Sequence, residues 1–233
     1  MKRRLASAVL LVALLLSGNV VAANTSNPYD VIPGLNNFTK QNTYTAGQFS
    51  DVPSSAWYAQ NVITAYELGL VKGVSANTFG ISGNITIAET IALASRIDSI
   101  FYTGTANFVQ GDPWYQCYVD YSIAVKIIAS STYTNYNATA TRAQFSEILA
   151  NSLPSYALED INWVDDNAIP DVKISDSYGA AVYMLYRAGI LTGSDAEGTF
   201  NPQAPISRPE VAAIVTRMAD ESLRKSITLV GEY

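Results

Sequence analysis

Two arginines directly follow residues that can cap a helix. Arg142 comes after Thr141, and Arg208 comes after Ser207. The free amides at a helix N-terminus, together with a guanidinium group, form a site suited to a carboxylate or a phosphate. The helix dipole disfavours an exposed cation there by roughly 0.3–1 kcal/mol, so capping alone does not require arginine. The pattern therefore predicts acid binding by both arginines; the alternative is a surface arginine paired with a neighbouring acid.

The residues three positions after each predicted cap have a structural explanation. In the capping box, a Ser or Thr is followed three residues later by Glu or Gln, and each side chain binds the other residue's backbone N–H. The chain has three such pairs: Thr86 with Glu89, Thr141 with Gln144, and Ser207 with Glu210. Capping is the favoured role, with ligand contact as the alternative, so Gln144 and Glu210 are candidate ligand-binding residues.

Aromatic side chains form a second group of candidates, because the chain has 15 tyrosines and three tryptophans. Trp57 and Trp114 stand at the starts of predicted helices. There an aromatic ring could stack on the apolar face of a sugar; core packing is the alternative. Lys72 lies in the loop after a predicted helix. It is either a partner of that helix's dipole or a second cation of the ligand site.

Composition excludes several kinds of site. The chain has no histidine, and Cys117 is its only cysteine. Catalysis by serine–histidine or cysteine–histidine pairs, histidine-ligated zinc and an intrachain disulfide are therefore excluded. Glu89 and Glu210 are the candidates for a glycosidase-type carboxylate pair, but both are predicted caps, so we expect no catalytic residues. We also expect no cofactor and no metal, because the stretch 194–198 lacks the ligand spacing of a calcium loop.

Charge argues against one class of partner. With 14 basic and 20 acidic residues the formal net charge is −6, whereas phosphate-driven nucleic-acid binding needs a basic face. We therefore expect no nucleic-acid partner.

The first residues have the pattern of a secretory signal peptide. Positions 2–4 are basic, positions 5–16 are apolar apart from one serine, and small residues follow up to Ala23. The pattern predicts export with cleavage at Ala22 or Ala23, and an uncleaved anchor is the alternative. No later stretch reaches the about 20 apolar residues of a membrane helix, so no membrane span is expected after signal removal.

The rest of the chain is repetitive. GLVKG at 69–73 is matched 120 residues later by GILTG at 189–193, and TIAE at 86–89 is matched by TRAQ at 141–144 in a weaker middle copy. Apolar residues at helical spacing flank loops rich in Gly, Asn and Ser, so each copy is predicted to be helix–loop–helix. Ile87 stands where the other copies have arginine, so we expect weak or no anion binding there.

The repeats define the predicted organisation and fold class. The predicted segments are a signal peptide (1–23), a leader or linker (24–48), module 1 (49–105), a degenerate module 2 (106–160), module 3 (161–222) and a tail (223–233). The fold class is mainly α, with three tandem helix–loop–helix modules. Modules of this size bury little core alone and are expected to pack on one another.

These modules resemble the S-layer homology domain. The resemblance lies in FSDV at 49–52 with Trp57, the GLVKG turn, Phe79 and the helix starts of the TRAE type, and it is clearest in the third copy, 169–210. It implies three helical modules around a pseudo-threefold axis, with grooves between neighbours that bind the bacterial cell envelope non-covalently. The implied ligand is an acidic cell-wall polysaccharide. This is a secondary cell-wall polymer, often with pyruvylated amino sugars, or a peptidoglycan-associated glycan.

The resemblance also assigns roles to residues. The motif's arginine meets the acidic group of the ligand, a role that falls on Arg142 and Arg208 but not on Ile87, while Gln144 replaces the motif's glutamate. The expected function is non-catalytic attachment of a secreted protein to the cell wall or cell surface (S-layer), with other envelope proteins as further partners. The alternative is a self-assembling structural component of a surface layer that acts through protein–protein contacts.

Overall fold

The computed structural model describes residues 31–231, and the chain there is mainly helical, which confirms the prediction of a mainly α protein. The predicted signal peptide and the first part of the predicted leader lie outside the described residues. The helices are α1 (Ala59–Glu67), α2 (Ile87–Thr103), α3 (Gln116–Ala124), α4 (Arg142–Ala150), α5 (Gly179–Arg187) and α6 (Arg208–Ala219). Two short strands, β1 (Trp163–Val164) and β2 (Thr228–Leu229), pair in parallel.

Helices α2, α4 and α6 begin where the capping boxes predicted. The backbone N–H of Thr86 donates to Glu89 Oε2 (2.8 Å), and that of Thr141 donates to Gln144 Oε1 (3.0 Å). In α6 the N–H of Ser207 donates to Oε2 of Glu210 (3.0 Å). Both arginines therefore occupy the first helical position, as expected.

A left-handed turn ends the first helix of each pair. Gly69 after α1 has φ 70° and Gly189 after α5 has φ 71°. At the corresponding place after α3, Lys126 adopts φ 68° although it carries a side chain. The middle pair therefore keeps the turn without the glycine that normally makes it favourable.

A ring of backbone hydrogen bonds joins the segments that lead into α2, α4 and α6. The N–H of Ile85 donates to the carbonyl of Ile206 (3.3 Å), that of Ile206 to Ala140 (3.3 Å), and that of Ala140 back to Ile85 (2.9 Å). Helix α1 packs on α6, α3 on α2, and α5 on α4, and buried apolar side chains from all of them form one core cluster. Through this ring and these contacts, the N-terminus of α2, α4 or α6 lies next to a helix pair other than its own.

Part of the predicted leader is bonded to the first helix pair. The N–H groups of Gln41 and Asn42 donate to the carbonyl of Glu67 (2.7 and 3.0 Å). Ile161 and Asn162 make the same bonds to Arg187 (2.8 and 2.9 Å). The repeated pattern of hydrogen bonds thus extends upstream of residue 49. Within residues 31–231, no helix combines the length and the apolar character that crossing a membrane requires.

Candidate functional site

The first candidate site is a cleft of about 280 Å³ beside α2, close to the lower end of the roughly 300–1,000 Å³ usual for small-ligand sites. We call it the α2 cleft. Its polar and aromatic lining includes Lys72, Glu89, Arg96, Gln110, Trp114 and Arg208. Three of the sequence-predicted residues therefore meet here. Arg208 comes from the start of α6, Trp114 from the segment before α3, and Lys72 from the loop after α1.

Arg208 spans the α2 cleft from the start of α6. Its Nε donates to the carbonyl of Phe79 (2.9 Å), its Nη2 donates to the carbonyl of Lys72 (2.5 Å), and its guanidinium carbon lies 4.9 Å from the centre of the Phe79 ring. Its Nη1 lies 3.8 Å from Glu89 Oε1, too far for a hydrogen bond. Burial lowers the pKa of Arg208, and Glu89 and Asp51 oppose that shift. Arginine remains charged in either case.

The second candidate site is a cleft of about 460 Å³ beside α6, which we call the α6 cleft. Its polar and aromatic lining includes Trp57, Arg142, Thr192, Ser194, Glu210 and Arg217. Three more of the predicted residues meet here, namely Arg142, Trp57 and Glu210. Trp57 is 66% exposed and Trp114 is 39% exposed, so neither ring serves mainly as core.

Arg142 is held more tightly than Arg208. Its Nε donates to the carbonyl of Phe200 (2.6 Å), its guanidinium carbon lies 5.2 Å from the Phe200 ring centre, and its Nη1 forms a direct ion pair with Glu210. Only 9% of its side chain is exposed. Each arginine thus has a carboxylate nearby, Arg142 in direct contact and Arg208 at 3.8 Å, but neither is a surface arginine, and each lines a cleft.

Each glutamate divides its two oxygens between the cap and the arginine. Glu89 and Glu210 accept the capping bond on Oε2 and present Oε1 to Arg208 and Arg142. Gln144 keeps the cap through Oε1 and lines neither cleft. Capping therefore does not need the negative charge, and the charge of the two glutamates serves the arginines.

Each cleft contains a second arginine that the sequence patterns did not indicate. Arg96 donates through Nη2 to the carbonyl of Gly69, and Arg217 donates through Nη1 to that of Ile190 (2.9 Å). Within the described chain, the buried Nε of each has no hydrogen-bond partner. Burial lowers the pKa of both groups. Their separation of 121 residues, the same as that of Glu89 and Glu210, was the signal that could have revealed them.

The corresponding surface beside α4 has lost these groups together. We call it the α4 surface, and we define it by the repeat offsets from the two clefts. Its residues are Ile87, Ala129, Gln144, Glu147, Asn151 and Ser177. Asn151 donates to the carbonyl of Ile127 (3.1 Å), a bond like that of Arg217 to Ile190. The structural bond is therefore kept while the charge is absent.

Glu147 gives the α4 surface an acid where the clefts have alanine. Ala92 lines the α2 cleft and Ala213 lines the α6 cleft at the corresponding position. Burial raises the pKa of the Glu147 carboxyl above its ordinary value. An acidic ligand would meet a carboxyl there and no cation from the repeat positions.

Two aspartates of the repeat position the rings beneath the arginines. Asp51 accepts hydrogen bonds from the N–H groups of Phe79 and Gly80, both at 2.7 Å, and Asp171 accepts from Phe200 at 2.8 Å. Burial tends to raise the pKa of Asp51, but the backbone donors outweigh it and the net shift is downward. These aspartates therefore stabilise the loops that carry Phe79 and Phe200, the rings that the arginines contact. Among residues 31–231, no group of three or more Asp, Glu, Cys or His side chains is arranged to hold a metal ion.

Comparison with known proteins finds a family that matches parts of this chain. The model of the S-layer homology domain matches residues 48–91 and 168–212, which contain α1, α5, the N-terminal part of α2 and nearly half of α6. The chain thus contains S-layer homology domain sequence in its first and last helix pairs. The middle pair, α3 and α4, lies between the two matched ranges.

Two relatives illustrate the setting of such domains. The chain is 24% identical over 183 residues to the Surface-layer 125 kDa protein of Lysinibacillus sphaericus, covering 72% of this chain and 15% of that protein. It is 30% identical over 138 residues to an Amylopullulanase of Thermoanaerobacterium thermosulfurigenes, covering 58% of this chain and 7% of the relative. S-layer homology domains are binding modules for cell-wall polymers, and they locate the protein at the cell surface or cell wall.

Proposed function

We propose that this protein attaches non-covalently to acidic cell-wall glycan through the α2 and α6 clefts and has no catalytic role. The glycan would be a secondary cell-wall polymer or a glycan associated with peptidoglycan. The observation that carries the proposal is the composition of each cleft. Both combine two guanidinium groups from different helices with one carboxylate and one exposed tryptophan.

The charge balance of the clefts supports an acidic ligand. Charged groups in a partly buried site are costly unless they are paired. Each cleft has more cations than carboxylates, so an incoming acid supplies the missing partner. Since Nη1 of Arg208 is beyond hydrogen-bond distance of Glu89, an acid in the α2 cleft can bind it without first breaking a hydrogen bond.

The tryptophans support a sugar as the carrier of that acid. Trp57 and Trp114 present exposed faces at the cleft edges, and an aromatic face packs well against the apolar face of a sugar ring. The arginine would then bind the acidic substituent while the ring holds the sugar.

The proposal includes a module architecture. We infer three helix-pair modules around a pseudo-threefold axis, with the middle pair as the degenerate copy. The cyclic order of hydrogen bonds through Ile85, Ala140 and Ile206 supports this arrangement. A second observation also supports it: Arg142 and Arg208 each donate a hydrogen bond to the backbone carbonyl of a phenylalanine in another helix pair, Phe200 and Phe79 respectively.

Sedimentation with purified cell walls tests the proposed function. The double variant Arg142→Ala, Arg208→Ala should bind walls at least about tenfold more weakly, because each lost charge-assisted hydrogen bond is worth roughly 1.5–3 kcal/mol. Walls stripped of their acidic polymer should not sediment the parent protein. The single variant Arg208→Ala is assayed in parallel, because Arg142 is the more deeply buried of the two.

Arg187→Ala is the matched control. It removes an arginine that pairs with Asp166 (2.7 Å) outside both clefts, so it should sediment like the parent. Circular dichroism must show that each variant melts cooperatively. Parent-like sedimentation of a folded double variant would contradict the proposed function.

Self-assembly into a surface layer is the second candidate, favoured by the similarity to the surface-layer protein. It predicts concentration-dependent assembly of the purified chain without any glycan. Analytical ultracentrifugation separates the two functions, since wall attachment through the clefts requires no such assembly.

A further inference from the structure

The two clefts differ in charge. The α2 cleft contains three cations, Lys72, Arg96 and Arg208, against the carboxylate of Glu89. The α6 cleft has only two cations against one carboxylate, because Thr192 occupies the position that corresponds to Lys72. The excess positive charge is therefore two in the α2 cleft and one in the α6 cleft.

The clefts also differ in the contact between the glutamate and the arginine at the helix start. Glu210 forms a direct, charge-assisted hydrogen bond with Arg142, whose side chain is 9% exposed. Glu89 stays 3.8 Å from Arg208, whose side chain is 14% exposed. A ligand acid in the α6 cleft must compete with Glu210, whereas the α2 cleft offers a guanidinium edge that Glu89 leaves open.

We propose that the two clefts bind acidic glycan in a fixed order, the α2 cleft first and more tightly, and that Lys72 contributes to this order. The proposal rests on the proposed function above. The α2 cleft accepts a glycan segment with two acidic groups, and the α6 cleft accepts a segment with one. The α4 surface binds none, because Glu147 replaces a small residue there and the repeat positions supply no cation. The chain therefore has two unequal sites.

The tryptophans allow each cleft to be observed separately. Trp114 lines the α2 cleft, Trp57 lines the α6 cleft, and Trp163, the third tryptophan of the chain, lines neither. A Trp57→Phe, Trp163→Phe variant fluoresces from the α2 cleft alone. A Trp114→Phe, Trp163→Phe variant fluoresces from the α6 cleft alone, and both variants keep an aromatic ring at every position.

The probe is the soluble polymer released from purified walls, titrated into each reporter variant at several salt concentrations. The Trp114 reporter should show a Kd about tenfold lower than the Trp57 reporter. Its Kd should also rise more steeply with ionic strength, because salt screens the additional charge. Calorimetry on the parent chain should give two sites per chain.

Exchange of one residue between the clefts tests the role of Lys72. Lys72→Thr should raise the Kd at Trp114 by about three- to fivefold, the size expected for one exposed charge, and Thr192→Lys should lower the Kd at Trp57 by a similar factor. Lys173→Thr, an exposed lysine outside both clefts, makes the same change in net charge and should alter neither value.

Equal affinities, tighter binding at Trp57, or exchange variants that behave like the Lys173→Thr control would overturn the inequality and leave the proposed function intact. If neither reporter responds although walls sediment the protein, the ligand binds elsewhere and the inference fails. If walls do not sediment the parent chain, the proposed function fails and the inference with it.

Discussion

The α6 cleft and the α4 surface are built on the same backbone, yet they carry opposite chemistry. Helices α4 and α6 both begin with a capping box, and in each pair the preceding helix, α3 or α5, is followed by a residue in the left-handed conformation. In the α6 cleft the repeat positions hold Glu210 and Arg217, and in the α4 surface they hold Gln144 and Asn151. The neutral residues still make the local hydrogen bonds. These local hydrogen bonds therefore do not need the charges, and the proposed binding of an acidic glycan would account for them.

The strongest test of this comparison is a pair of truncations at matched caps. Glu210→Ala removes a cap and leaves Arg142 buried without its ion-pair partner, so the free energy of unfolding should fall by roughly 3–5 kcal/mol. Gln144→Ala removes only a cap and should cost about 1 kcal/mol. Urea denaturation measures both. Equal losses would show that the Arg142–Glu210 pair contributes nothing specific.

Asp51→Asn tests whether the loop aspartates belong to the clefts' support. The carboxylate accepts backbone hydrogen bonds from the Phe79 loop, so its loss should cost about 1–2 kcal/mol of unfolding free energy at neutral pH. The pKa of Asp51 is lowered in the folded protein, so its stabilising effect is full above the ordinary aspartate pKa and disappears as the pH falls through the lowered value. The difference from the parent should therefore shrink in acid. A pH-independent difference would contradict this role.

Lys126→Gly tests the middle pair at its turn. Because Lys126 adopts φ 68°, glycine should relieve backbone strain and raise the free energy of unfolding by about 0.5–1 kcal/mol. Lys225→Gly, at an exposed lysine outside the six helices, serves as the control and should give no gain. Thermal unfolding measured by circular dichroism decides between the two results.

The smallest effect is expected at the α4 surface. Burial raises the pKa of Glu147, so its ionised form is disfavoured in the folded state, and its stability contribution declines as the pH rises from the ordinary glutamate pKa through the raised one. Glu147→Gln should raise the melting temperature at neutral pH by about 2 °C, roughly 0.5 kcal/mol. The gain should vanish in acid, where both side chains are neutral. A gain that persists at low pH would exclude this electrostatic origin.

Local rules predicted much of this molecule from sequence. The capping boxes located the starts of α2, α4 and α6, and the paired glycines located the turns after α1 and α5, because these signals depend on a few neighbouring residues. The resemblance supplied the family. Arg208 and Trp114 were both identified from sequence as binding candidates, but nothing local indicated that they share one cleft.

The rest depends on contacts between distant segments. Arg142 pairs with Glu210 across 68 residues, and no sequence spacing encodes that meeting. Arg96 lies in the middle of α2 and Arg217 in the last turn of α6. Both helices are rich in apolar residues, and the long apolar stem of an arginine fits such an amphipathic pattern without standing out. Arg96 and Arg217 stand out only when the copies are aligned with each other, which places arginine at this position in two copies and Asn151 in the third.

The closed cycle of main-chain bonds through Ile85, Ala140 and Ile206 has a consequence for how the protein comes apart. In a linear repeat array, an end unit can fray while its neighbours survive. A closed circuit has no end unit, so opening any one contact weakens the other two. We expect melting in one all-or-none step, and we expect an excised helix pair to be neither folded nor able to bind.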